Sequence, residues 1–196
     1  MDVLRVDDGL WRWSTRYSEW GEDVGCLYVE AEDAVVLVDP LVPEERDEEE
    51  RFWRALDRDV DRGRLPVHVL VTVFWHTRSA ARMVERYGAE VHAVSGGRSA
   101  VERRAGVVHD AYRSASTLPG GIVALPTARR SEVVFWLPQH RALVTGDTTA
   151  TGHRAPVCVD CHGGHTVVQA GDPIWFRGVV QECGACHERL LATYDE

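Results

Sequence analysis

The sequence predicts an α/β fold over residues 1–148, followed by a small irregular Cys/His-rich tail over residues 149–196. Three observations carry this reading. Ala34 to Val38 and Val67 to Trp75 are nearly unbroken apolar runs, as expected of strands covered on both faces. Segments with helical spacing of apolar residues alternate with them, the pattern of layered α/β structure. After Thr148 the composition changes: four of the five cysteines fall there and hydrophobic periodicity fades.

Taken in order, Leu10 to Tyr17 and Cys26 to Glu30 read as short antiparallel strands with aromatic and β-branched content. After the Ala34 strand, Pro43 opens an acidic stretch in which Phe52, Trp53, Leu56 and Val60 stand at helical spacing. Acidic residues favour the start of a helix through its dipole, and the run Glu44 to Glu50 reads as its solvated face. Ser79 to Tyr87 is a helix closed by Gly88, and Arg98 to Ala105 a shorter one ended by Gly106. Strands are expected at Val91 to Val94, Gly121 to Leu125, Glu132 to Leu137 and Ala142 to Val144, with Pro138 to Arg141 as a hairpin turn. Cys26 and the tryptophans at 11, 13, 53 and 136 suit core packing.

With 44% hydrophobic residues the chain has material for a core, and its formal charge of −9 argues against a nucleic-acid partner. All 22 cationic residues are arginine, and they are scattered. The N-terminus lacks a basic start followed by an apolar run, so no signal peptide is expected. No apolar stretch approaches the roughly 18 residues of a membrane helix. The expected compartment is the cytoplasm, where close cysteine pairs are metal ligands or redox thiols rather than disulfides.

Ala34-Val-Val-Leu-Val-Asp-Pro, Val69-Leu-Val-Thr and Val133-Val-Phe-Trp-Leu-Pro, followed by Ala142-Leu-Val-Thr-Gly-Asp147, resemble the first two thirds of the metallo-β-lactamase fold. The resemblance covers residues 8–148 and implies an incomplete metallo-β-lactamase-like αβ sandwich. It also implies where catalysis would sit. Active members place a His-x-His-x-Asp-His cluster on the turn after the Val-Leu-Val-Thr strand, where imidazoles and a carboxylate hold two metals that activate water. Here those positions fall on Val73, Trp75, Thr77 and Arg78, none suited to ligation. A further family histidine would land near Ala128. Asp147 alone survives as a residual metal ligand, with strand capping as its alternative. His76 is a substitute ligand or a structural histidine. The resemblance thus leads to a degenerate, non-hydrolytic site, against the alternative of a metal-dependent hydrolase built on Asp147 and His76.

The tail contains Cys158-Val-Asp-Cys161-His162-Gly-Gly-His165 and Cys183-Gly-Ala-Cys186-His187. Two CxxCH units are similar to segments of multihaem c-type cytochromes. That resemblance implies thioether attachment of two haems c, with His162 and His187 on iron and His165 or His153 as distal ligands. The implied function is electron transfer to a redox partner protein, in an exported, periplasmic protein. The alternative is zinc, since Cys-x2-Cys-x21-Cys-x2-Cys approaches ribbon spacing through Cys158, Cys161, Cys183 and Cys186. Unligated thiols are the remaining possibility. The abrupt change between Thr148 and Gly152 fits either a genuine fusion or a join made in sequence assembly. Unpaired strands of an incomplete sandwich would favour homo-association.

Overall fold

The structure, a computed structural model, describes residues 1–113, 116–127, 129–147 and the backbone of 167–169. Seven strands form the larger sheet: β1 (Asp2–Asp7), β2 (Leu10–Tyr17), β3 (Glu22–Glu30), β4 (Val35–Val38), β5 (Val67–Val71), β6 (Glu90–Val94) and β7 (Asp110–Tyr112). They lie in chain order, antiparallel from β1 to β4 and parallel from β4 to β7. The parallel half requires crossovers, supplied by α1 (Arg46–Gly63), α2 (Ala80–Tyr87) and α3 (Arg98–Ala105). A second sheet contains β8 (Val123–Pro126), β9 (Val133–Leu137), β10 (Ala142–Val144) and β11 (Val167–Gln169), all antiparallel.

Two cores follow from the two faces of the large sheet. Leu37, Val69, Val91 and their neighbours point outward to Phe52 and Leu56 of α1, Met83 of α2 and Val101 of α3. The alternate residues, Val36, Val38, Leu70 and Val94, pack on Phe135, Leu137 and Val144 of the second sheet. Because β4 and β5 are covered on both faces, their sequences are apolar apart from His68. The described residues thus form an αβ sandwich of three layers.

The expected elements are present, with bounds that shift by a few residues. Helix α1 starts where the Glu45 side chain accepts hydrogen bonds from the Asp47 and Glu48 amides, and those bonds hold its carboxyl below the usual range. Gly88 and Gly106 end α2 and α3 in left-handed conformations, as read from sequence. One boundary needs correction. The run from Val67 leaves the sheet after Val71, and residues Phe74–Thr77 form a 3₁₀ turn. β1 and β7 had not been foreseen. β11 lies past residue 148 in sequence and pairs with β10, Ala142 standing opposite Gln169. No helix among the described residues is long and apolar enough to cross a membrane.

Candidate functional site

The C-terminal ends of β4 and β5 meet the turn after β10 at one end of the sandwich, and three ionisable residues, Asp39, His76 and Asp147, converge there. Asp39, directly after β4, takes a positive φ of 47° that turns its side chain towards β5. Its Oδ1 accepts the Thr72 amide at 2.8 Å, and its Oδ2 accepts the Thr72 hydroxyl. The same Oδ2 lies 2.9 Å from His76 Nδ1. On the other side of the ring, His76 Nε2 stands 3.3 Å from Asp147 Oδ1, and the Trp75 indole donates to Asp147 Oδ2 at 2.7 Å. Asp39 and His76 are 0% exposed, whereas Asp147 is partly open to solvent.

A carboxyl at each ring nitrogen favours a proton on each. Burial pulls the His76 pKa down, but the Asp39 charge and the contacts of the ring N–H groups to Asp147 and Asp39 outweigh it, and the net shift is upward. The two carboxyls favour the imidazolium form of His76, in which neither nitrogen presents a lone pair.

The surrounding side chains are arranged for close packing. A Cβ on Gly146 would stand 2.9 Å from Thr72 Oγ1 and 3.1 Å from Glu132 Oε1, so the Thr-Gly-Asp turn needs glycine to approach β5. Glu132 is buried, with Arg129 Nη1 at 3.6 Å from its carboxylate. Beside it a cavity of about 490 Å³ is lined by residues including Ser95, Arg113, Arg129, Arg130 and Glu132.

No protein-family model and no curated protein matches the chain. Solved structures do. The DIM-1 metallo-β-lactamase superposes with a TM-score of 0.63 at 12% identity, the alignment covering 96% of this chain and 97% of that one. The metallo-β-lactamase IND-7 gives 0.54 at 18% identity over 80% and 77% of the two chains. A flavoprotein from Thermotoga maritima gives 0.55 at 20% identity, covering 74% of this chain and 41% of that one. The fold is that of the metallo-β-lactamases.

The positions that the fold resemblance assigned to metal ligands have other tasks. Val73 is buried and bridges to Glu132. Trp75 donates to Asp147, and the Thr77 hydroxyl donates to the Phe74 carbonyl at 2.6 Å. Arg78, at a positive φ of 39°, sends Nη1 to the carbonyls of Gly25 at 2.9 Å and Asp39 at 3.2 Å, and its guanidinium lies over the Trp20 ring. A fixed cation thus sits where ligands for a cation were expected. Asp39 and Asp147 stand on opposite sides of the His76 ring, and no three donor atoms at this end face a common point among the described residues. The donor set does not fit a dinuclear centre.

Asp147 and His76, paired in the alternative hydrolase reading of the sequence, do lie side by side, 3.3 Å apart. Cys26 is a buried thiol, its pKa pushed up to about 11 by burial. Ala128, His153, Cys158, Cys161, His162, His165, Cys183, Cys186 and His187 lie outside the described residues.

Sequence reading missed a second group, His68, Glu90 and His92, on β5 and β6 at the other end of the parallel strands. Its only trace in the sequence is a histidine inside each of two otherwise apolar strands. Burial holds the pKa of both histidines below the ordinary value, His68 raising no objection from its neighbours strong enough to reverse it and His92 being lowered further by His68.

Proposed function

We propose that this chain is a metallo-β-lactamase-fold protein with a degenerate, non-hydrolytic site, whose late double CxxCH segment binds haem or a metal. One observation carries the first half: a carboxylate oxygen stands beside each nitrogen of His76, Asp39 at 2.9 Å and Asp147 at 3.3 Å. Arg78 adds a positive charge beside them. A hydrolytic zinc site needs imidazole lone pairs facing a common point, with one position open to water. The Asp39–His76–Asp147 chain instead works as a clasp, tying the ends of β4, β5 and β10 together.

The second half rests on the motifs themselves. Cys158, Cys161 and His162, with Cys183, Cys186 and His187, suit covalent haem, His165 and His153 serving as distal ligands. The four thiols alone suit zinc. A haem-bearing chain would be an exported electron carrier with a protein redox partner.

Two measurements test this reading. The full-length protein, supplied with Zn²⁺, is assayed against a β-lactam and a carboxylic ester alongside Asp147→Ala. The expected result is no turnover above that of Asp147→Ala. Metal-dependent turnover abolished by the substitution would revive the hydrolase. For the late segment, expression in an export-competent, haem-maturing host should yield a Soret band that survives acid-acetone extraction. Zinc that is lost in Cys158→Ser would select the alternative, and the absence of both signals would refute ligand binding by this segment.

A further inference from the structure

The inner face of the large sheet holds a donor cluster that the proposed function does not use. β5 and β6 run parallel with His68 opposite Glu90 and Leu70 opposite His92. The two-residue period of a strand therefore sends all three polar side chains to one face. Four residues, or about 13 Å of strand, separate His68 from Thr72, so this group is distinct from the Asp39–His76–Asp147 clasp.

Its geometry is that of a ligand set. His68 Nδ1 and His92 Nε2 face each other at 3.0 Å. Glu90 Oε2 lies 3.6 Å from the first and 3.9 Å from the second. Around a tetrahedral Zn²⁺ with bonds of about 2.0–2.2 Å, neighbouring donors stand roughly 3.3–3.6 Å apart. Each edge of the triangle is within about half an ångström of that spacing, a shift that side-chain torsions supply. The other ring nitrogen of His92, Nδ1, is buried without a hydrogen bond and lies 3.6 Å from Asp110 Oδ2. A carboxylate behind a histidine is the usual support of a metal-bound imidazole, fixing its tautomer and orientation.

We propose that His68 Nδ1, His92 Nε2 and the Glu90 carboxylate bind one divalent cation of the Zn²⁺ class, with Asp110 orienting His92. Two imidazoles and one carboxylate select a borderline transition ion over Mg²⁺ or Ca²⁺, which prefer all-oxygen sites. The Glu90 side chain is 55% exposed, so an ion has a route in and water a fourth position. A plain N–H···N bond between the histidines accounts for their 3.0 Å contact, but it gives Glu90 and Asp110 no role.

Co²⁺ is the probe, titrated into the full-length protein and followed by absorption. Nitrogen and oxygen ligation gives visible d–d bands without the near-ultraviolet thiolate charge transfer that the late cysteines would produce. The expected result is one equivalent with that thiolate-free spectrum, present also in Cys158→Ser where any thiolate-bound cobalt is lost, and abolished by His92→Gln and by Glu90→Gln. Asp110→Asn should weaken binding by about 10–100-fold. The Glu90 and Asp110 side chains are more than half exposed, so these two variants keep the fold. Titrations that are identical in wild type, Glu90→Gln and Asp110→Asn, or cobalt bands that always carry thiolate charge transfer, would overturn the proposal.

Discussion

Asp39→Asn is the substitution that most directly probes the clasp. The side chain is fully buried and accepts the Thr72 amide, the Thr72 hydroxyl and the His76 ring. Asparagine keeps the shape but removes the charge that faces the His76 imidazolium. Taking one partner from a buried ion pair costs about 3–5 kcal/mol, because the other charge is left uncompensated. That is a large share of the roughly 5–15 kcal/mol that holds a domain folded. With a urea m-value of about 2 kcal/mol/M, the midpoint should fall by about 1.5–2.5 M. The effect also depends on pH in a defined direction. The folded pKa of His76 is raised above its ordinary 6.5, so the pair's contribution is complete below that pH. It is lost as the pH climbs through the folded value. Urea unfolding of both proteins at acid and alkaline pH, followed by tryptophan fluorescence, makes the measurement. A midpoint change below about 0.5 M, or a gap that stays constant or widens as pH rises, refutes the imidazolium clasp.

Three further outcomes are expected from the same denaturation assay. Phe135→Ala removes a ring that is fully buried between the sheets and should cost about 3–5 kcal/mol. Gly146→Ala drives a methyl against Thr72 Oγ1 and Glu132 Oε1 and should cost about 1–3 kcal/mol, whereas an unchanged midpoint would mean that the turn has room to move. Asp57→Asn disrupts a two-pronged pair with Arg86 and a bond from Tyr87, yet these groups are partly exposed, so the loss should stay at or below about 1 kcal/mol.

The buried elements were legible in the sequence because their patterns are local. Nearly unbroken apolar runs marked β4 and β5, and Phe52 and Leu56 at helical spacing marked the covered face of α1. β1 lacks such a mark, since its first four residues are exposed and show no alternation. β7 is three residues long, below the length at which a period can be read. The early end of β5 has a physical cause: the Thr72 amide, which a longer strand would give to a neighbour, is taken by the Asp39 side chain. His76 was readable as a structural histidine, but its partners lie 37 and 71 positions away in the chain, at Asp39 and Asp147. Likewise the His68–His92 contact depends on the parallel register of β5 and β6, which no spacing within either strand reveals.

β1 leaves one flank of the large sheet without a neighbouring strand among the described residues, and there Val3 and Leu4 are 61% and 58% exposed. Such a flank is a template on which a second molecule can add a strand. What opposes docking is mutual repulsion between chains that each carry a formal charge of −9. That repulsion fades as the Debye length shrinks from about 10 Å at 0.1 M salt to about 3 Å at 1 M. Oligomers should therefore accumulate in sedimentation as salt is raised, and Val3→Glu, which adds to the repulsion on the template itself, should move that onset to higher salt.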